Sequence, residues 1–234
     1  MIQIERDISD ESRNDFDYGV FLSLTGREAV VAAENYQMVV IDAQNLSENE
    51  IAEMQDRGQL VYSYLNIGSL ETFRTYFEEF EHLTLKPYIN WDNEFWIDAS
   101  TEEWQEFVSV ELASDYLEKG LDGFWVDNAD VYYQFPTEEM YEGVEQIMLT
   151  LMEYEKPVVI NGGDQFVQQY LERNNQIDDI LTGVNQETVF SSINFVDRTL
   201  GVQNEMTRQY YLDLSELGQN GGIRRSIFLN IQRE

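Results

Sequence analysis

Gly120-Leu-Asp-Gly-Phe-Trp-Val-Asp127-Asn128-Ala-Asp130 opens on a glycine, crosses a short apolar run and ends in three closely spaced polar side chains. An apolar run of this length without alternation reads as a strand covered on both faces, the pattern of parallel sheets. The format recurs along the chain. The runs Tyr18–Ser23, Met38–Asp42, Leu60–Asn66, Phe95–Asp98, Gly123–Asp127, Pro157–Asn161, Asp179–Val184 and Ser226–Asn230 make eight candidate strands. Amphipathic stretches with helix-end signals separate them. Ser47-Glu-Asn-Glu50 opens one helix that ends near Arg57-Gly58. Ser100-Thr-Glu-Glu103 reads as a capping box for a helix through Leu117 that Lys119-Gly120 closes, and Thr137-Glu-Glu starts a third helix ending before Pro157.

Alternation of strand and helix gives a parallel sheet, and eight strands in 234 residues favour a closed (β/α)8 TIM-type barrel over a doubly wound sheet. No early strand is followed by the Gly-x-Gly-x-x-Gly turn of a dinucleotide-binding fold. No linker or repeat divides the chain, so residues 1–234 are expected to form a single barrel domain.

Composition removes several function classes. Forty-five acids against fourteen bases give a formal charge of −31, a field that repels nucleic acid and anionic membranes. The same charge attracts cationic partners, although a solubilising acidic surface explains it equally well. No window is apolar enough for a membrane span, and the acidic, polar first twenty residues are not a signal peptide. Cysteine is absent, and His82, the one histidine, lies in an acidic helix-like segment. No metal site, cofactor or serine or cysteine nucleophile is therefore expected.

Five runs end in, or beside, a polar residue: Asp42, Asn66, Asp98, Asp127 and Asn161. In a parallel barrel the carboxyl ends of the strands meet on one rim, where sites are built, although Asp and Asn also cap ordinary turns. Asp127-Asn128-Ala-Asp130 is the sharpest of these endings, and Tyr132 and Tyr133 behind it offer stacking surfaces for a sugar ring. Glu187, in Gly183-Val-Asn-Gln-Glu187, sits just past the seventh run. Glycoside hydrolysis needs two carboxyl groups flanking one bond, and Asp127 and Glu187 would face each other across the barrel mouth.

The segments Tyr62-Ser-Tyr64-Leu-Asn66-Ile-Gly68-Ser-Leu-Glu71-Thr-Phe-Arg74, Trp91 through Trp96-Ile-Asp98, Gly120 through Tyr132 and Val184-Asn-Gln-Glu187 resemble the glycoside hydrolase family 114 group. That group comprises endo-α-1,4-polygalactosaminidases and a bacterial TM1410-like branch, to which the match is closer. The likeness runs from about Asp17 to about Gly221. It implies a (β/α)8 barrel and an endo-acting, retaining hydrolase of α-linked galactosamine or N-acetylgalactosamine polymers. It also implies a cationic polysaccharide as partner and a secreted or cell-surface location. By position, Asp127 matches the family's strand-end nucleophile and Glu187 its general acid/base. Asp42, Tyr64, Asn66, Glu71, Arg74, Asp98, Asn128, Asp130, Tyr132 and Asn161 match positions lining the sugar pocket.

One segment departs from the family pattern. Gly221 through Glu234 carries Arg224, Arg225 and Arg233 in place of an apolar run ending in Glu-Tyr. The last strand region is therefore expected to be altered or incomplete. A catalytically silent carbohydrate-binding barrel is the alternative, with a barrel of unrelated small-molecule function behind it.

Overall fold

A computed structural model describes residues 16–89, 91–194, 197, 199–222 and 225–229. Its centre is one parallel sheet. β1 (Phe16–Phe21), β2 (Tyr36–Ile41), β3 (Leu60–Asn66) and then four later strands lie side by side. The gap in sequence after β3 holds a separate antiparallel sheet. β4 (Ser69–Glu71), β5 (Thr84–Pro87) and β6 (Glu94–Ile97) pair in the order β4-β6-β5. The main sheet resumes with β7 (Gly123–Asp127), β8 (Val158–Asn161) and β9 (Gly183–Glu187). A hairpin of β10 (Ser191–Asn194) and β11 (Thr199–Val202) follows, and β12 (Arg225–Leu229) pairs parallel to β9.

Helices fill the crossovers: α1 (Gly26–Ala32), α2 (Glu48–Asp56), α3 (Phe77–Phe80), α4 (Glu102–Glu106), α5 (Ala113–Glu118), α6 (Val131–Gln134), α7 (Glu138–Met152), α8 (Asp164–Asn174) and α9 (Glu205–Asn220). A π-helical turn over Phe107–Leu112 joins α4 to α5. None of the described helices is long and apolar enough to cross a membrane.

Strand alternation sorts the sheet's side chains into two cores. Met38, Val40, Tyr62, Tyr64, Trp125 and Val159 cluster on the concave face, with Tyr18, Val20 and Leu22 against them. Their sequence neighbours Val39, Ile41, Val61, Leu65, Phe124, Val126, Val158 and Ile160 pack outward against the helices. The sheet is strongly curled. Tyr18 of β1 and Trp125 of β7 have ring centroids 6.1 Å apart, whereas three strand steps of a flat sheet span about 14 Å. The phenol of Tyr18 also lies in the field of Glu187, five strands away in ladder order. This is a TIM-type (β/α) barrel in which the described ladder runs from β1 to β12, with no pairing between those two among the described residues.

Two sequence expectations need adjusting. The Phe95–Asp98 run is not a barrel strand: it is β6 of the antiparallel sheet, and β3 pairs directly with β7, so seven parallel strands stand where eight were expected. Its Glu94 and Trp96 face partners on β4 that run the opposite way. The Asp179–Val184 run is largely turn, and the strand begins at Gly183, which places Glu187 at a strand end rather than past it. The Ser226–Asn230 run forms the last described strand, Arg225–Leu229, and the ladder is not closed to β1 among the described residues, as expected of an incomplete last region; Asn230 lies outside the described residues.

The helix caps follow the sequence signals in two cases. Glu50 accepts from the backbone N–H of Ser47 at 2.8 Å, and Thr137 Oγ1 accepts from the N–H of Met140 at 3.2 Å. The third differs: Thr101 takes the cap position of α4, and Ser100 turns back to donate to Asp98. Asp122 in the opening motif binds the foot of β3, accepting from Val61 N at 2.8 Å and from Gln55 Nε2 at 3.0 Å.

The turn out of β7 depends on a close approach. A Cβ on Gly68 would sit 1.8 Å from the carbonyl oxygen of Asn128, so only glycine lets the β3–β4 link lie against the residue after Asp127. Gly68→Ala must displace backbone, and a loss of about 1–3 kcal/mol or more is predicted from urea unfolding. An unchanged midpoint would show that the two segments separate freely.

Candidate active site

Period-two alternation carries the polar strand ends into the mouth of the curled sheet. Asp42, Asn66, Asp127 and Asn161 each lie two residues beyond an inward-facing Val40, Tyr64, Trp125 or Val159. Register then aligns them. Asn66 pairs with Asp127, Asp127 with Asn161, and Asn161 with Asn185, a lateral row across four adjacent strands.

One amide joins the two predicted catalytic acids. Asn161 Nδ2 donates to Asp127 Oδ1 at 3.0 Å and to Glu187 Oε1 at 3.1 Å. Its orientation is determined, because Asn161 Oδ1 accepts from Asn185 Nδ2 on the other side. Asp127 Oδ1 takes a second bond, from the N–H of Asn128 at 3.0 Å. Each of the three central residues is followed by left-handed backbone: Asn128 has φ 64°, Gly162 φ 70° and Thr188 φ 58°. For a β-branched threonine that conformation is costly, and here it turns the chain away immediately behind Glu187.

Asp130 holds the second of these turns. Its Oδ2 accepts from Gly163 N at 3.1 Å, and a Cβ on Gly162 would meet the same oxygen at 2.9 Å. Asp130 thus fixes the segment that carries Asn161. Burial and the nearby charge of Asp164 raise its carboxyl to about 6. Burial, then the charge of Glu187, raises Asp127 to about 7, partly opposed by the Asn161 amide.

A second polar cluster lies beside Asp127. Asn128 Nδ2 donates to Asn66 Oδ1 at 3.1 Å, to Ser69 Oγ at 2.8 Å and to Glu94 Oε1 at 3.2 Å. Ser69 Oγ also donates to Glu94. Burial raises the Glu94 carboxyl while those donors oppose the shift. Tyr88 stacks on Trp96 and donates from its hydroxyl to Asn128 Oδ1 at 3.3 Å. After burial, the charges that raise that phenol come from Asp130, Asp127, Glu94 and Glu187. Among the described residues no salt bridge reaches any of these four acids.

Glu94, Tyr88 and Ser69 were not anticipated. Polar residues were sought at the carboxyl ends of apolar runs, whereas Glu94 stands at the start of β6 and Tyr88 in the loop before it. Antiparallel pairing of Glu71 with Glu94 brings both ends of that sheet to the rim, and nothing in the apolar pattern announces the reversal.

The other predicted pocket residues divide into groups. Arg74 is buried between acids, with Nη1 2.6 Å from Asp42 Oδ2 and a two-pronged contact to Glu71 at 2.9 Å. All three are under 8% exposed, so their charged groups are committed to each other. Tyr64 links this triad to the site: the Arg74 guanidinium lies 5.7 Å from its ring, and the charge of Asp127, after burial, raises its phenol. Asp98 is bonded locally, accepting from Ser100 N at 3.2 Å and Ser100 Oγ at 2.5 Å, and no hydrogen bond among the described residues ties it to the Asp127 cluster. Tyr132 packs edge-on to Tyr141 and lines a cavity over α8. Among the described residues no group of three or more His, Asp or Glu is placed to hold a metal ion.

The sequence matches the model of glycoside-hydrolase family GH114 over residues 7–156, more than half of the chain and inclusive of Asp127 but not Glu187. No curated protein matches it. Among solved structures, the glycoside hydrolase domain of PelA from Pseudomonas aeruginosa superposes with a TM-score of 0.72 at 14% identity, covering 92% of this chain and 83% of that one. Ega3 from Aspergillus fumigatus, solved in complex with galactosamine, gives a TM-score of 0.67 at 15% identity over 93% and 76%. TtGalA, an α-galactosidase from Thermus thermophilus, gives 0.52 at 13% over 88% and 46%. At these identities the likeness is one of fold.

Two outcomes follow. Arg74→Ala leaves two buried carboxylates without a counter-charge and is predicted to cost about 3–5 kcal/mol in denaturant unfolding, whereas a loss under about 1 kcal/mol would mean the triad is not coupled. Asp127 has its folded pKa raised above the unfolded value near 3.8, so the stability it confers is present below pH 4 and is lost as pH rises through about 7. Asp127→Asn is therefore predicted to stabilise the fold by about 2–4 kcal/mol at pH 8 and by little at pH 4. Thermal melts at the two pH values measure the difference.

Proposed function

This chain belongs to glycoside-hydrolase family GH114, and from that premise we propose that it cleaves α-linked galactosamine-type polysaccharide within the chain and with retention, Asp127 as nucleophile and Glu187 as acid and base. The observation that carries the proposal is the Asn161 amide bridging the two carboxyl groups. Oxygens at 3.0 and 3.1 Å from one nitrogen lie no further apart than those distances end to end. With the bonded oxygens within about 6 Å of each other, the pair is nearer the roughly 5–5.5 Å spacing of retaining enzymes than the roughly 6.5–9.5 Å of inverting ones. The spacing supports direct attack by a carboxylate.

Burial and the neighbouring charge of Glu187 favour the protonated form of Asp127 up to about pH 7, so below it a proton stays at the site. That is the state the first step requires. The Asp127 carboxylate attacks the anomeric carbon while Glu187 donates its proton to the leaving oxygen, giving a glycosyl ester and a free chain end. Glu187, now a carboxylate, takes a proton from water, whose oxygen attacks the same carbon and releases Asp127. The two N–H donors on Asp127 Oδ1 stabilise the charge that returns to it.

The substrate class is supported by charge. Asp127, Asp130, Glu94 and Glu187 surround the Tyr88 hydroxyl, and the arginine behind them is taken up by Asp42 and Glu71. An ammonium group at C2 of a hexosamine would be drawn into this field. It would also favour the ionised form of Asp127, the form that attacks. Asn66 and Asn128 supply neutral donors and acceptors beside it, and Asn161 and Asp130 hold the acids and the turn behind them in place.

Purified protein is predicted to release reducing ends from α-1,4-linked galactosamine polymer, more slowly or not at all from uncharged galactose polymer. Asp127→Asn and Glu187→Gln should each lower kcat by about a thousandfold or more. kcat/KM should fall as pH rises through about 7, where the proton held at Asp127 is lost and none remains for the leaving oxygen. Polymer binding without reducing ends from the unmutated chain would favour a binding barrel over an enzyme.

A further inference from the structure

We propose that the cavity over α8 is a second carbohydrate-binding site that holds additional hexosamine units of the chain being cleaved, an extension that rests on the hydrolase function above. The cavity has a volume of about 480 Å³ and is lined by Tyr132 and Pro136 beside α6, by Asp164, Gln165, Gln168, Gln169 and Glu172 of α8, and by Tyr210 of α9. Three kinds of group converge there. The glutamine amides offer donors and acceptors to sugar hydroxyls and acetamides. Two carboxylates attract ammonium groups. Two tyrosine rings present faces that suit pyranose C–H surfaces or cations. No lysine or arginine is among the lining residues.

The walls are held in place. Tyr210 donates from its hydroxyl to Asp164 Oδ2 at 2.6 Å, which fastens α9 to the first turn of α8. Gln168 donates to Glu172 one turn on, at 3.1 Å. The cavity is also tied to the catalytic pair by a short stretch of chain. Asn161 bridges the two acids, Gly163 is held by Asp130, and Asp164 already lines the cavity. Three residues of extended chain span at most about 11 Å between Cα atoms. One substrate chain can therefore occupy both places. Binding energy gained in the cavity would be available only to long substrates, which is the property that separates cleavage within a polymer from trimming of its ends.

The test compares α-1,4-galactosamine trimer with a decamer, using the full chain and a Gln168→Ala/Gln169→Ala double variant. For the decamer, KM should rise about tenfold in the variant, and the ratio of decamer to trimer kcat/KM should fall by a similar factor. An unchanged ratio would overturn the proposal and leave hydrolysis intact. Direct titration of the decamer onto Asp127→Asn, with and without the double substitution, decides the matter independently of turnover. A Kd weakened about tenfold by the double substitution, and more sensitive to salt than trimer binding, supports the second site. An equal Kd removes it. If the unmutated chain cleaves neither oligomer, the hydrolase function fails while this titration still decides the cavity.

Discussion

A single side-chain amide stands between two carboxyl groups that would otherwise repel one another. Asn161 can serve both acids only because its Nδ2 carries two hydrogens and its Oδ1 is engaged by Asn185. Rotation of that amide would turn an oxygen toward two acids and convert attraction into repulsion. Much of the rim is arranged to prevent it. β8 and β9 hold Asn161 and Asn185 in register, and Asp130 pins the glycine turn that follows. The left-handed residues after Asp127, Asn161 and Glu187 turn the chain at the three strand ends, with β9 running two residues past the level of the other two. Strain of this kind costs of order 1–3 kcal/mol where the residue is not glycine, and the surrounding contacts must over-determine it.

The electrostatics follow from that constraint. Most buried charges in this chain are neutralised locally, as Arg74 is by Asp42 and Glu71. The acids at the mouth are not. Asp127, Asp130 and Glu94 are offered only neutral donors from Asn161, Asn128, Gly163, Asn66 and Ser69, and all three have raised pKa values. A fold stabilised only for its own sake would place cations there. Leaving them unpaired lowers stability at neutral pH and keeps a negative field at the mouth. The formal charge of −31 has in this respect two parts: a solvated acidic surface and a small set of unpaired rim acids.

The sequence made the barrel legible because alternating cores leave a plain trace. Val40, Tyr64, Trp125 and Val159 could be read as strand interior, and the polar residue two places on as rim. Asp127 and Glu187 were identified through family likeness as well as position. What the sequence hid was the excursion between β3 and β7. Phe95–Ile97 is as apolar as a barrel strand, yet it pairs antiparallel with β4 and β5. Apolar content reports burial and is silent about direction. The same limit concealed Glu94, which stands at the start of β6, and Tyr88 in the loop before it, while Asp98 beyond the end of β6 accepts locally from Ser100.

The buried triad shows why likeness of position does not settle a residue's task. Asp42, Glu71 and Arg74 all lie near the rim, and each has the chemistry to bind a sugar. Once three charged groups saturate one another in a site under 8% exposed, their hydrogen-bonding capacity is spent and a ligand must compete with ion pairs already formed. Their link to Asp127 passes through Tyr64, whose ring lies 5.7 Å from the guanidinium and whose phenol lies in the field of Asp127. Asp127 therefore owes its setting to two layers. Neutral amides orient it from the side, and a neutralised ionic triad supports the tyrosine nearby. A site that holds an uncompensated negative charge gains from having its nearest strong cation already satisfied, since a free arginine in that place would pair with Asp127 and cancel its charge.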